Sequence, residues 1–181
     1  MVIWITGLSG AGKTTVSNAL WRSFEHTVPE LVRLDGDVMR AAFEHDLGYE
    51  IEARVAQIKR MQRLAKVLVD QGKVVLVAAL YANKELLAWN RLNFPSYLEV
   101  YMDTPMHVLR ARDTNGLYSK AARGEMPNVV GLDIPWTPPS EPDLVLDSSG
   151  SETPEDLARV VARQVPRFAQ QLELSGSEDS R

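Results

Sequence analysis

A glycine-rich run near the N-terminus has the residue types and the spacing of a phosphate-binding loop. Residues Gly7 to Thr14 read Gly-Leu-Ser-Gly-Ala-Gly-Lys-Thr, which matches the pattern G-x-x-x-x-G-K-[ST]. Glycines let the backbone wrap closely around a phosphate chain, so that its N–H groups point inward. In such loops the lysine, here Lys13, reaches the β- and γ-phosphates, and the hydroxyl of Thr14 binds Mg²⁺. The run predicts a site for a nucleoside triphosphate that serves as a phosphoryl donor.

Two carboxylates follow the second apolar run of the chain, in Leu34-Asp35-Gly36-Asp37. Phosphoryl transfer to a hydroxyl needs a group that orients the nucleophile and accepts its proton, and acids that hold Mg²⁺ and its waters. The next apolar run ends in Ala78-Ala79-Leu80 without an acid, so Asp35 and Asp37 are the best candidates. A turn aspartate followed by a helix-capping aspartate would give the same pattern, and the local sequence leaves both interpretations open.

Two arginines and an aromatic residue come next. Arg40 lies three residues after Asp37, on the same face of a predicted helix. Arg54 and Gln57 have the same spacing at the start of a longer helix, and Tyr49 precedes it. Arginine is suited to bidentate contact with phosphate or sulfate. Taken singly, each arginine is more often a solvated surface charge.

These residues must be positioned by apolar runs that alternate with helical patterns. We predict strands at about 2–6, 31–34, 73–80, 97–102 and 143–146, and helices at about 13–25, 38–43, 52–70, 84–90, 105–112 and 153–172. Such alternation predicts an α/β fold of three layers, the P-loop nucleoside triphosphate hydrolase and kinase fold, with a parallel sheet covered by helices on both faces. Sheets of this kind bind ligands at the carboxyl ends of their strands, where the glycine loop and both carboxylates fall.

The segment from about 113 to 140 is rich in glycine, proline and charge and lacks a core pattern. We predict a mobile lid, because so long a plain connection is unusual; an ordinary exposed loop is the alternative. Closing a lid would exclude water and suppress hydrolysis of the donor. We expect residues 1–172 to form one domain and the polar tail, 173–181, to be disordered.

Composition narrows the class of protein. The 181 residues carry a formal net charge of −4, which argues against a nucleic-acid-binding surface. The chain has 0 cysteines, which excludes disulfides and thiolate zinc sites and fits a reducing cytoplasm. No apolar run approaches the ~20 residues of a membrane-spanning helix. We therefore expect a cytoplasmic protein that binds neither nucleic acid nor membrane.

The ordered set of motifs resembles the adenylylsulfate (APS) kinase family, from about Val2 to Leu146. That family transfers the γ-phosphate of ATP to the 3′-hydroxyl of adenosine 5′-phosphosulfate (APS), and it often forms dimers. The resemblance is carried by Gly-Leu-Ser-Gly-Ala-Gly-Lys-Thr-Thr from Gly7, Leu34-Asp35-Gly36-Asp37 with Arg40, Asp46-Leu47-Gly48-Tyr49 with Arg54, Arg112-Asp113 with Gly116-Leu117-Tyr118, and Gly131-Leu132-Asp133.

The resemblance implies a role for each matching residue. Asp37 corresponds to the acid at the reacting hydroxyl and Asp35 to its partner near Mg²⁺, and together with Lys13 they form the implied catalytic set. The implied Mg²⁺ residues are Thr14 and Asp35. The implied ATP-binding residues are Gly7, Leu8, Ser9, Gly10, Ala11, Gly12, Lys13, Thr14, Thr15, Arg110 and Arg112. The implied acceptor-binding residues are Asp37, Arg40, Tyr49, Arg54, Gln57, Tyr81, Lys120 and Val129.

The departures from the family pattern fall on the acceptor side. Leu80-Tyr81-Ala82 stands where the family has Ile-Ser-Pro, Gln57 where it has asparagine, and Val129 where it has the phenylalanine that clamps the acceptor adenine. A divergent APS kinase is one interpretation. A kinase of the cytidine diphosphoramidate branch, which acts in capsule modification, is the second, because a smaller pyrimidine tolerates the loss of an aromatic wall. A non-catalytic, nucleotide-binding regulator is the third.

Overall fold

A single parallel sheet organises the chain. The computed structural model describes residues 1–81, 83–113 and 115–178. Within these residues the sheet has five strands: β1 (Val2–Gly7), β2 (Leu31–Asp35), β3 (Val74–Ala79), β4 (Tyr97–Met102) and β5 (Leu144–Leu146). Their spatial order is β2-β3-β1-β4-β5, and every neighbouring pair is parallel. The predicted parallel α/β class is confirmed.

Helices cover both faces of the sheet. They are α1 (Lys13–Phe24), α2 (Gly36–Ala42), α3 (Ile51–Asp70), α4 (Lys84–Asn93), α5 (Met106–Arg112), α6 (Leu117–Ala122), α7 (Pro154–Arg163) and α8 (Pro166–Glu178). The core on one face contains residues of α1 and α5 to α8, and the core on the other contains residues of α2 to α4. The predicted three-layer arrangement is therefore confirmed.

The burial of the central strand, β1, explains why its sequence is one continuous apolar run. All six residues of β1 are buried. Successive side chains of a strand point to opposite faces, and accordingly Ile3 and Ile5 belong to one core while Val2 and Trp4 belong to the other. A strand buried on both faces has no polar side to alternate with.

The register of the sheet creates room at its carboxyl edge. Asp35 at the end of β2 is level with Ala78 of β3, and Ala78 is level with Ile5 of β1. Two strand spacings of about 4.8 Å therefore separate Asp35 from β1. Since β3 ends in two alanines, no large side chain stands between the end of β2 and the loop that follows β1.

The structure adds detail to the predicted lid segment and divides the last predicted helix in two. The segment 113–140 contains α6 and contributes four buried side chains to the core: Tyr118, Val129, Val130 and Ile134. The predicted helix over 153–172 is two helices, because Pro166 lacks the N–H that would continue the first. Its capping box, with Thr153 and Asp156, is present as predicted.

The tail differs as well. The last helix extends to Glu178, where we expected disorder from residue 173. Glutamine, leucine and glutamate are good helix formers, and Gln170 to Leu174 continue α8 without a helix breaker. The remainder of the predicted tail, 179–181, lies outside the described residues. No helix among the described residues is long and apolar enough to cross a membrane.

A buried aromatic pair joins α8 to α1 and gives a test of this packing. The rings of Phe24 and Phe168 stack with centroids 4.4 Å apart, and Phe168 is fully buried. We expect Phe168→Ala to lower the free energy of unfolding by about 3–5 kcal/mol, because it leaves a cavity. Leu92, which is 86% exposed, provides the control. Leu92→Ala should change the free energy of unfolding by less than about 0.5 kcal/mol in urea titrations. Equal effects of the two changes would contradict the packing.

Candidate active site

The loop after β1 has the conformation that a phosphate cradle requires. Gly12 has φ 90° and caps α1, a left-handed conformation that a side chain would strain. A Cβ on Gly7 would lie 2.8 Å from the carbonyl oxygen of Met102, so the loop can pass this close to β4 only with glycine. The first residue of α1 is Lys13. The positive end of the helix dipole therefore faces the loop, where it favours an anion.

Lys13 lies across this loop. Its Nζ donates a hydrogen bond to the carbonyl oxygen of Leu8 at 2.8 Å. Burial lowers the pKa of Lys13 to about 8, against the opposing effect of the carboxylates of Asp37 and Asp35. The lysine is therefore held next to both predicted acids. Burial destabilises its charged form, and bound phosphates would stabilise that form again.

Asp35 caps a helix, one of the two roles that the sequence left open, and also contacts the phosphate loop. Its Oδ2 accepts a hydrogen bond from the Thr14 hydroxyl at 2.7 Å. Its Oδ1 accepts from the backbone N–H of Asp37 at 2.9 Å and of Val38 at 3.4 Å, so it also caps α2. The carboxylate is 6% exposed. One buried side chain thus joins the donor loop to the helix that carries Asp37.

The pairing of Thr14 with Asp35 fits Mg²⁺. Since the hydroxyl gives its proton to the carboxylate, its lone pairs remain available to a cation. Among the described residues, no three acidic or histidine side chains form a group that could hold a metal. Mg²⁺ does not require such a group, because in enzymes it usually keeps several water ligands and takes further oxygens from the phosphates of the substrate.

Asp37 lies in the first turn of α2 with its side chain exposed. Its charge raises the pKa of Lys13 more strongly than the charge of Asp35 does. Asp37 is therefore the carboxylate that faces the donor site most openly. A hydroxyl brought between it and the phosphate loop would meet a free proton acceptor.

Arg40, Tyr49 and Arg54 form one cluster beside Asp37. The guanidinium carbons of Arg40 and Arg54 lie 4.6 Å and 5.5 Å from the ring centroid of Tyr49. The structure thus brings together three side chains that the sequence predicted for the acceptor. The ring is 50% exposed, so one part of it is open to a ligand.

Backbone carbonyls hold the two arginines. Arg40 is buried, and its Nη1 donates to the carbonyl oxygens of Leu47 and Gly48, both at 2.9 Å. Arg54 donates from Nε to Tyr49 and from Nη2 to Asn128, both at 2.7 Å. Within the described part of the chain neither arginine forms a salt bridge with a carboxylate.

The two positive charges oppose each other. Burial and the nearby charge of Arg40 lower the pKa of Arg54. At Arg54 the opposing effect of the Asp133 carboxylate is smaller than the effect of Arg40, so an anion bound between the two guanidinium groups would be favourable. The cluster is therefore complementary to an anionic group, and the half-exposed Tyr49 adds aromatic surface that a base could contact.

Gln57 and Arg60 connect the long helix to this region. Gln57 is 3% exposed, and its Nε2 lies 3.4 Å from the carbonyl oxygen of Gly36. It therefore joins α3 to the start of α2. Arg60 forms a bidentate salt bridge with Asp46, at 2.9 Å and 2.7 Å, and covers the ring of Phe43. The sequence prediction missed Arg60, whose spacing after Gln57 was the available signal.

The side chain of Val129 is not exposed toward the predicted acceptor pocket. It is 3% exposed and belongs to the core, although the sequence placed it in the acceptor pocket. The carboxylate of Asp133 accepts hydrogen bonds from the backbone N–H groups of Asn128 and Val129, which turns the Val129 side chain inward. Tyr81 is partly buried and packs against both cores.

The remaining predicted residues lie around the donor loop. Lys120 is exposed in the last turn of α6, and Arg110 is exposed in α5. Arg112 donates from Nη1 to the hydroxyl of Ser148 at 3.0 Å and from Nη2 to its carbonyl oxygen. Thr15 follows Thr14 in the first turn of α1 and is exposed.

A family described as adenylylsulphate kinase matches residues 1–147 of the chain. The chain belongs to this family. An adenylyl-sulfate kinase of Chloroflexus aurantiacus is 39% identical over 162 residues, 90% of this chain and 87% of that protein. A cytidine diphosphoramidate kinase of Campylobacter jejuni is 36% identical over 164 residues, 91% of this chain and 95% of that protein.

A solved structure of the family agrees with the fold. The APS kinase CysC of Mycobacterium tuberculosis, in complex with AMPPNP and APS, superposes with a TM-score of 0.81 at 34% identity and covers 88% of this chain and 94% of its own. The present chain is accordingly a nucleotide kinase that uses ATP and Mg²⁺. The phosphate loop with its Thr14–Asp35 pair provides a fitting site for both.

The lowered pKa of Lys13 predicts how nucleotide binding depends on pH. Above about pH 8 the ligand-free lysine loses its proton, while bound phosphates favour the charged form. Binding then takes up a proton, so affinity for ATP should fall as pH rises, by up to about tenfold per pH unit. Calorimetry from about pH 7 to about pH 10 without Mg²⁺ measures this. Lys13→Arg, which stays charged, should remove the slope; an unchanged slope in that variant would assign it to another group.

Proposed function

We propose that the protein transfers the γ-phosphate of ATP to the 3′-hydroxyl of adenosine 5′-phosphosulfate. The observation that carries this proposal is the cluster of Arg40, Arg54 and Tyr49, which lies beside Asp37. It offers two guanidinium groups that form no salt bridge with a carboxylate among the described residues, and a tyrosine that is half-exposed. A nucleotide whose 5′ end carries a compact anionic group satisfies both features at once.

The chemical step follows from the placement of the two acids and the lysine. The acceptor 3′-oxygen forms a bond to the γ-phosphorus, the bond from that phosphorus to the β,γ-bridging oxygen breaks, and ADP leaves. Asp37 accepts the hydroxyl proton. Lys13 compensates the charge that develops on the transferred group and the leaving oxygen. Mg²⁺, held by Thr14 and through water by Asp35, would offset the charge of the β- and γ-phosphates.

The segment 113–140 serves as the lid of this reaction in our proposal. Lys120 is exposed on α6, and Arg110 and Arg112 lie on the helix that leads into the segment. Moving these cations over the phosphates would exclude water, which competes with the acceptor hydroxyl. We further propose a cytoplasmic location and a homodimer, as expected from the composition and the family.

A second acceptor, cytidine diphosphoramidate, is supported by a particular observation. Val129 is buried, so this position supplies no aromatic wall opposite Tyr49. One stacking surface fits a small pyrimidine as well as a purine. The Campylobacter jejuni relative named above has this activity by its name and matches over 95% of its own length.

One assay separates the candidates. Purified protein with ATP and Mg²⁺ is given APS or cytidine diphosphoramidate in parallel, and the formation of ADP is followed. We expect ADP formation to depend on APS, with a higher kcat/KM than for the cytidine compound. A preference for the cytidine compound would replace the acceptor in our proposal. Consumption of ATP that never depends on either acceptor would favour a nucleotide-binding regulator.

The assigned role of Asp37 predicts a loss in turnover alone. Asp37→Asn keeps the shape of the side chain and removes the proton acceptor. We expect kcat to fall by about 10²–10⁴-fold, with the Kd of ATP nearly unchanged, in steady-state kinetics combined with calorimetry. Asp70→Asn, at the far end of α3, is the matched control. If Asp37→Asn chiefly weakens ATP binding, Asp37 belongs to the donor site instead.

The stacking role of Tyr49 predicts a loss that is specific to the acceptor. We expect Tyr49→Ala to raise the acceptor KM by a factor that corresponds to about 1–3 kcal/mol, the usual contribution of one base stacked on an aromatic ring. The KM of ATP should stay within about twofold, and Tyr49→Phe, which retains the ring, should behave as the unaltered protein. A loss in both variants would assign the effect to the hydroxyl.

A further inference from the structure

Two hydroxyl groups outside the phosphate loop donate hydrogen bonds to its carbonyl oxygens. The Tyr118 hydroxyl, on α6, lies 2.8 Å from the carbonyl oxygen of Ser9. The Ser148 hydroxyl, which follows β5, lies 3.0 Å from the carbonyl oxygen of Ala11. These residues lie 109 and 137 positions from their partners in the chain, so neither contact is a local turn.

Each contact fixes the direction of one peptide group. The described residues contain no cis peptide bond, and in a trans peptide the C=O and the following N–H point in opposite directions. When the Ser9 carbonyl turns outward to Tyr118, the N–H of Gly10 turns inward. The Ala11 carbonyl and the N–H of Gly12 are related in the same way through Ser148.

The inward N–H groups are the ones that a phosphate needs. Within the described part of the chain, the N–H groups of Gly10 and Gly12 take part in no hydrogen bond. By contrast, the Leu8 carbonyl is turned toward the loop interior, where it accepts from Lys13 and from the N–H of Ala11. The Leu8 carbonyl therefore differs in direction from the carbonyls of Ser9 and Ala11.

Both hydroxyls are themselves held in place. Ser148 has one proton, which it gives to Ala11, so the hydroxyl of Thr104 at 2.8 Å and Nη1 of Arg112 at 3.0 Å must be its donors. Tyr118 is 4% exposed. Burial raises the pKa of its phenol to about 12, so the hydroxyl keeps its proton. Asp113 caps the start of α6 through the N–H of Tyr118, at 2.9 Å.

We propose that Tyr118 and Ser148 are positioning residues for the donor phosphates. They hold the Ser9 and Ala11 carbonyls outward and thereby aim the N–H groups of Gly10 and Gly12 at the phosphate chain. Because Tyr118 belongs to α6 and Ser148 is bonded to Arg112 of α5, the same contacts transmit the position of the lid segment to the cradle. The proposal depends on ATP binding by the loop and not on the acceptor, so a negative acceptor assay leaves it intact.

The test compares ADP with AMP, which lacks the β-phosphate, by calorimetry in the presence of Mg²⁺. In Tyr118→Phe and Ser148→Ala we expect the Kd of ADP to rise about threefold to tenfold, the usual net effect of one lost hydrogen bond. The Kd of AMP should change by less than about twofold. A purely structural role would weaken both nucleotides alike and would lower Tm.

Matched variants complete the experiment. Tyr101→Phe removes a phenol that is bonded to Asp103 and not to a carbonyl of the loop, and Ser23→Ala removes a hydroxyl that is bonded to a carbonyl within α1. Both should bind ADP as the unaltered protein does, and Ser148→Thr, which retains the hydroxyl, should restore ADP binding. Equal losses for ADP and AMP, an unchanged Kd of ADP in both test variants, or a failure of Ser148→Thr to restore binding would overturn the proposal.

Discussion

The hydrogen bond from Thr14 to Asp35, 2.7 Å long, is the interaction on which the arrangement of the site depends. It joins the first turn of α1 to the end of β2 across the two alanines that end β3. The same carboxylate caps α2, so the helix that carries Asp37 and Arg40 starts at a point fixed relative to the phosphate loop. A buried carboxylate that satisfies a hydroxyl and two backbone N–H groups has little freedom to move.

The cluster of Arg40, Tyr49 and Arg54, which we propose binds the acceptor, is organised by cation–π contacts and by hydrogen bonds to backbone carbonyls. Arg40 and Arg54 donate their hydrogen bonds to backbone carbonyls. These bonds order the chain around Tyr49 and Asn128. Their charges remain without a carboxylate partner in the described chain. The cluster is therefore rigid before a nucleotide arrives and gains electrostatically when an anion binds.

Much of the donor half could be predicted because its determinants are local. The glycine loop, Lys13 and Thr14 occupy eight consecutive residues between a strand and a helix, and the end of β2 places Asp35 opposite them. The double role of Asp35 could not be read locally, since the acids of a cap and of a metal site have the same sequence pattern.

The burial or the position of residues that depend on distant contacts could not be predicted from the sequence. Tyr118 and Val129 lie in a segment without a repeating apolar pattern, so no helical or strand period marked them as core. Ser148 is a single serine after a three-residue strand, and only the folded chain places it at the phosphate loop. The last helix extends beyond residue 172 because its exposed residues favour helix without an apolar stripe.

The most direct test of the central role of Asp35 is the Mg²⁺ dependence of the reaction in Asp35→Asn. Asparagine caps helices about as well as aspartate, so the variant separates the two functions of the side chain. We expect Tm to stay within a few degrees while the Mg²⁺ concentration for half-maximal turnover rises by about tenfold or more, the usual effect of losing an outer-shell metal partner. A lowered Tm with an unchanged Mg²⁺ requirement would show that Asp35 only caps α2, and would contradict its proposed role at the metal.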